Sequence, residues 1–202
     1  MVAGPKDNTA YYFHIMARAN GLKDNDYDFQ FAGSSGARFA ALKSGAVDAA
    51  FLTFPFDVQA EQEGYRRLAN LLPEYLNADN YAGGGFIARR DWAQDHADEA
   101  VRYIRAITKA IDWLYAPANK TELYGVVKAK LNLTEEAFEQ VYQNSLVTGK
   151  QFSTDGRFKE SAVQGVMKGL VDLGSLKEPL PEASKYYDNT YANRARESLG
   201  KE

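Results

Sequence analysis

The segment ARFAALKSGAVDAAFLTFPFD, residues 37–57, decides the predicted fold. Its first residues have the apolar spacing of a short amphipathic helix, and Gly45 can take the left-handed conformation that ends a helix. The apolar run Val47–Leu52 is too short for a second helix and indicates a buried strand. Because ligands of open α/β sheets bind where the strands end, the turn after Leu52 is a candidate binding site.

The same alternation of helix and strand extends on both sides of this segment. The pattern predicts helices over residues 9–20, 35–44 and 55–63, and strands over residues 2–4, 27–32, 47–52 and 65–72. Strands that alternate with helices favour an α/β fold with an open, mostly parallel sheet and right-handed crossovers. We therefore expect residues 1–72 to form an α/β lobe.

The rest of the chain changes character twice. Residues 73–90 contain three consecutive glycines, Gly83–Gly85, and predict a hinge or crossover that includes a short strand at Phe86–Ala88. Residues 91–202 have apolar positions at helical spacing and predict a helical region. Its apolar faces have no sheet of their own to cover, so we expect a further chain, a swapped copy or an absent segment to cover them.

Composition excludes several classes of function. The net charge of -3 offers no field that would attract nucleic acid. The chain has no cysteine, and His14 and His96 stand in no metal-binding or catalytic spacing, so we expect no metal, no cofactor and no catalysis. No apolar run approaches the roughly 20 residues of a membrane span, and the residues after Met1 do not resemble a signal peptide.

Three turns at the predicted carboxyl ends of strands contain the candidate ligand-binding residues. Backbone N–H groups at a helix start can hold a carboxylate, sulfonate or phosphate, although the same serines and threonines can simply cap the helices. Phe54 and Phe56 can stack on a ligand or pack in the core. Arg38 opposes the dipole of its helix, which indicates an acidic ligand or partner, or else a solvated side chain. The candidates are Asn8, Thr9, Tyr11, Ser34, Ser35, Arg38, Thr53, Phe54, Phe56 and Asp57.

Several segments in order resemble one known family. They are GPKDNT (residues 4–9), GSSG (33–36), ALKSGAVDAAFLT (41–53), FIARRDW (86–92) and FSTDGRF (152–158). Together they resemble the second half of the solute-binding proteins of ABC importers, in the NMT1/THI5-like group that binds nitrate, taurine and alkanesulfonates. The family has two α/β lobes of the type II periplasmic-binding-protein kind, and the resemblance implies that most of the first lobe is missing upstream of Met1. One departure is that Lys6 and Asp7 stand in a turn where the family usually has small residues.

The resemblance implies a non-enzymatic protein that carries a small solute to a membrane permease, in the periplasm or lipid-anchored outside the cell. Lobe closure about Gly83–Gly85 would capture the solute. One alternative is an enzyme related to the family's pyrimidine-precursor synthases, which would need a histidine in the pocket, and His14 is the candidate. Another is a LysR-type effector-binding domain, which would need a helix-turn-helix segment that the chain does not show.

Overall fold

Helices make up nearly all the regular structure in the described part of the chain. A computed structural model describes residues 1–71, 74–76, 84–131 and 133–200. Its α-helices are α1 Asn8–Ala19, α2 Ser35–Lys43, α3 Phe56–Gln62, α4 Arg90–Asp95, α5 Ala97–Tyr115, α6 Lys120–Leu131, α7 Glu135–Val141, α8 Glu160–Asp172 and α9 Thr190–Glu197. Short 3₁₀ helices lie at Pro117–Asn119 and Ala183–Lys185, and a π-helix lies at Tyr142–Thr148.

The predicted open parallel sheet is wrong. Across the described ranges, β-pairing amounts to one parallel bridge between Val2 and Phe31. The segments predicted as strands at 27–32, 47–52, 65–71 and 86–88 run outside regular secondary structure apart from that bridge. Residue 72, the last of the predicted strand 65–72, lies outside the described residues.

The first three residues make backbone hydrogen bonds to a segment on either side. The N–H of Val2 donates to the Gln30 carbonyl at 3.0 Å, and the Val2 carbonyl accepts from Ala32 at 3.1 Å. On the other side, the Phe51 N–H donates to the Met1 carbonyl at 2.9 Å. Among the described residues these bonds do not continue into a ladder, and the Val2–Phe31 pair stays an isolated bridge.

The helices of the first 72 residues are confirmed. The predicted spans 9–20, 35–44 and 55–63 coincide with α1, α2 and α3 to within one or two residues. Gly21 and Gly45 follow α1 and α2 with φ of 79° and 73°, a region that favours glycine because it has no Cβ. The rules that end helices act within a few residues, so the sequence alone was enough to place them.

The described chain divides into two compact units. The first comprises Met1–Asn77 and Met167–Leu180, and the second Ala78–Val166 and Pro181–Glu202. In the first unit, the buried apolar side chains come mainly from the three leading helices and include Ala10, Tyr12, Ala17, Phe39, Val58 and Ala60. The predicted division at residues 72 and 90 stays a prediction, because residues 72–73 and 77–83, including Gly83, lie outside the described residues.

The regular structure in the described part of the second unit is helical. Its buried cluster consists of Leu123, Phe138, Tyr142 and Leu146, with partly buried aromatic and aliphatic neighbours. Helix α9 packs on α5, where Arg194 pairs with Asp98 at 2.7 Å. Among the described helices, none is both long and apolar enough to cross a lipid bilayer.

Candidate functional site

Asp7 organises the first of the three candidate turns. Its carboxylate accepts a hydrogen bond from the Thr9 backbone N–H at 2.9 Å and another from the Thr9 hydroxyl at 2.7 Å. The Thr9 hydroxyl in turn accepts from the Ala3 N–H at 2.8 Å. Asp7 is therefore the N-cap of α1, Thr9 is tied to the turn, and the predicted ligand residue Asn8 lies exposed beside them.

The second and third turns are joined by a serine side chain. Ser34 caps α2 by accepting from the Ala37 N–H at 3.2 Å. The hydroxyl of Ser35 accepts from the Thr53 backbone N–H at 2.9 Å, which brings two predicted ligand residues together. Ser34 and Thr53 are both exposed, and their predicted contact with a ligand stays a prediction.

The two phenylalanines of the third turn have different environments. Phe54 is 41% exposed. Phe56 is partly buried, with its ring centroid 6.2 Å from that of Phe39. A Cβ at Gly36 would lie 3.0 Å from the Phe56 ring, so the ring packs closely on the start of α2. The sequence left core packing and ligand contact open for both phenylalanines. The structure shows Phe56 packed on Phe39, and contact between Phe54 and a ligand stays a prediction.

Arg38 is buried and bonded to the backbone of two turns. Its exposed fraction is 3%, its Nε donates to the Phe51 carbonyl at 2.7 Å, and its Nη1 donates to the Gly33 carbonyl. Burial lowers the pKa of Arg38 from its ordinary value, and the negative charge of Asp7 opposes that shift. The solvated side chain that the sequence left as one alternative is therefore not what the structure shows.

Asp57 lies in an ionic network at the start of α3. Its Oδ2 pairs with Arg67 Nη2 at 3.3 Å, and Arg67 Nε also pairs with Glu61 at 2.8 Å. The hydrogen bonds that Arg67 donates to the Glu61 carboxylate raise the pKa of Arg67. The other Asp57 oxygen, Oδ1, is buried and has no hydrogen-bond partner. Sequence reasoning missed Arg67, although acidic residues four apart on α3 were a signal for a basic partner.

Tyr11 lies on the α8 side of α1. A Cβ at Gly169 would lie 2.1 Å from its ring, so the two helices approach closely there. Burial, and then the charge of Asp172, raises the pKa of Tyr11. A cavity of about 60 Å³ lies beside it and is lined by Tyr11, His14, Ile15, Arg18, Asp172 and Leu173.

Both histidines are engaged with neighbouring side chains. His14 Nδ1 lies 2.7 Å from the Tyr27 hydroxyl and 3.4 Å from Asp24. His96 stacks on Trp92, with ring centroids 5.0 Å apart and planes 8° from parallel. Trp92 and His96 help to line a cavity of about 470 Å³ in the second unit. The sequence did not predict any residue that lines this cavity as a site residue. Among the described residues, no group of three acidic or imidazole side chains is placed to hold a metal ion.

Comparison with known proteins identifies the family. The family described as NMT1/THI5 like matches residues 2–120. The chain is 25% identical over 158 residues to a protein of Bacillus subtilis (strain 168) named "Putative aliphatic sulfonates-binding protein", an alignment that covers 72% of this chain. It spans 46% of that relative's length. No solved structure matches the chain. Since the family match extends over more than half of its residues, the chain belongs to the NMT1/THI5-like family.

Proposed function

We propose that this chain is part of the solute-binding component of an ABC importer, and that its solute is a small organic anion of the aliphatic sulfonate class. The family match and the name of the Bacillus relative support this proposal. The observation that carries it is the bond from the Thr53 N–H to Ser35, which joins two of the three predicted turns. Solute-binding components bind without reaction, so the protein is not an enzyme under this proposal.

The exposed polar groups of the turns are the proposed anion contacts. Asn8, Ser34 and Thr53 are exposed at or near the starts of α1, α2 and α3. Hydroxyl groups donate to sulfonate oxygens, and the positive ends of α1 and α2 favour negative charge. Phe54, 41% exposed, is the proposed contact for the alkyl part of the solute. The remaining candidates, Thr9, Tyr11, Ser35, Phe56 and Asp57, complete the proposed surface or support it.

The proposal extends to the whole protein. It includes a membrane permease as partner, a position in the periplasm or lipid-anchored outside the cell, and closure of the lobes about Gly83–Gly85. Closure would couple capture of the solute to its delivery. Gly84 and Gly85 lie among the described residues, and Gly83 does not.

Calorimetric titration with methanesulfonate, ethanesulfonate and taurine tests the proposal. We expect saturable binding, with the affinity of Ser34→Ala and Thr53→Val each reduced by roughly tenfold, since each loses a hydrogen bond to a charged group. Ser44→Ala, at the opposite end of α2, is the matched control and should bind as the wild type does. Absence of saturable heat with all three sulfonates would count against the proposal, and native mass spectrometry of freshly purified protein would show any other solute retained.

The enzyme alternative has its own test. The family's pyrimidine-precursor synthases would need a histidine at the pocket, and His14 is instead bonded to Tyr27 beside a small cavity. We expect His14→Ala to bind sulfonate as the wild type does. Normal binding by this variant, with its helix content unchanged by circular dichroism, would count heavily against the enzyme.

A further inference from the structure

The surroundings of Arg38 are those of a structural link between turns. Arg38 is 3% exposed, so its guanidinium offers little surface to a solute. Two of its nitrogens donate to backbone carbonyls, Nε to Phe51 and Nη1 to Gly33. The planar guanidinium presents donors on separate nitrogen atoms in fixed directions, whereas lysine has a single nitrogen on a flexible stem.

The two carbonyls belong to the two turns that the proposed site needs together. Gly33 immediately precedes Ser34, the N-cap of α2, and Phe51 lies two residues before Thr53. The bond between Ser35 and the Thr53 N–H runs between the same two segments. Two separate side chains of α2 therefore tie the third turn to the second.

The first turn contributes charge to the same place. Burial lowers the pKa of Arg38, and the negative charge of Asp7 opposes this shift without outweighing it. Asp7 is itself held by Thr9, whose backbone N–H and hydroxyl both donate to it. The hydrogen bonds of Arg38 therefore join the second and third turns, and the first turn adds a nearby negative charge.

We propose that Arg38 is a positioning residue that holds the Gly33 and Phe51 turns in the arrangement that binds the solute, and that it does not contact the solute itself. The effect on binding rests on the proposed function, whereas the effect on the turns does not. A residue that acted through its charge alone would be replaceable by lysine. A residue that bridges two carbonyls through two separate nitrogen atoms is not replaceable by lysine.

Arg38→Lys and Arg38→Met separate the two roles. We expect both variants to bind methanesulfonate more weakly by roughly tenfold or more, because methionine has no donor and the single lysine nitrogen cannot take the positions of both Nε and Nη1. Arg66→Met, an exposed arginine of the same unit, is the control and should bind as the wild type does. Near-normal binding by Arg38→Lys, together with a large loss in Arg38→Met, would overturn the proposal in favour of direct charge contact.

Hydrogen exchange and chemical rescue supply readouts that do not depend on stability alone. In both Arg38 variants the amides of residues 34–37 and 51–53 should exchange faster, with little change in α8. In Arg38→Ala, added methylguanidinium at non-denaturing concentration should restore slow exchange in these segments, and methylammonium should not. Unchanged exchange in Arg38→Met would overturn the proposal. If the wild type binds no sulfonate, the proposed function fails, and the exchange and rescue measurements still decide the role of Arg38.

Discussion

Single side chains of the first unit make contacts far beyond their own helices. Arg38 bonds to residue 51, thirteen positions away, and Ser35 bonds to residue 53, eighteen positions away. Arg67 reaches back ten positions to Asp57. Each of these side chains satisfies a backbone or carboxylate group of a turn, so the shape of the candidate site depends on a few polar residues.

Asp7 gives a test at the level of one residue. Asp7→Ala removes the oxygen that accepts from the Thr9 N–H, and we expect the free energy of unfolding to fall by about 1 kcal/mol. Asp7→Asn is the matched control, since asparagine is an equally good N-cap. Urea denaturation measures both variants. Equal destabilisation by alanine and asparagine would mean that the charge near Arg38, and not the cap, is the important contribution.

At the level of the helix, local chemistry decides where a helix begins and ends, but it does not decide which face of the helix is packed. Ser34 and Thr134 cap α2 and α7 through their side-chain oxygens, and Gly174 follows α8 with φ of 65°. Such ends can be recognised in a sequence because caps and glycines act within one turn of the helix. Apolar spacing is a weaker guide to burial, since Val126 of α6 is 52% exposed. Spacing marks a face, and only the neighbouring elements decide whether the face is covered.

Two glycines inside helices test this difference. A Cβ at Gly169 in α8 would lie 2.1 Å from the Tyr11 ring, whereas one at Gly125 in α6 would have no heavy atom within 4 Å. We expect Gly169→Ala to lower the free energy of unfolding by about 1–3 kcal/mol through overpacking. Gly125→Ala should raise it by about 0.5–1 kcal/mol, because alanine is the better helix former.

Thermal or urea unfolding of the two alanine variants provides the comparison. Each variant is the control for the other, because the change in helix propensity is the same and only the surroundings differ. A stabilised Gly169→Ala protein would show that the Tyr11 ring can move aside without cost.

At the level of the whole molecule, the described chain leaves large apolar side chains uncovered. In the second unit, Ile87 is 100% exposed, Phe86 is 65% exposed and Tyr103 is 51% exposed. The Phe86 ring contacts Tyr103 edge to face at 4.9 Å, so the three belong to one neighbourhood. The expectation that a further chain or segment covers such surface stays a prediction.

Light scattering over a range of concentrations tests that expectation. We expect the chain to associate as its concentration rises, because contiguous exposed apolar surface favours association. Ile87→Ser should weaken the association, and Val147→Ser, which changes a 49% exposed apolar side chain elsewhere in the same unit, is the control. A compact monomer at every concentration would contradict the prediction.

The sequence by itself determined where α1, α2 and α3 begin and end and which family the chain resembles. Caps such as Ser34, stops such as Gly45 and helical spacing act over a few residues, so they can be recognised without a structure. The tertiary structure decided whether the apolar segments become strands, how deeply Arg38 is buried and which turns Ser35 joins. These outcomes depend on hydrogen bonds between residues distant in the chain. A strand exists only where a second segment pairs with it, and among the described residues that pairing is limited to the bridge between Val2 and Phe31.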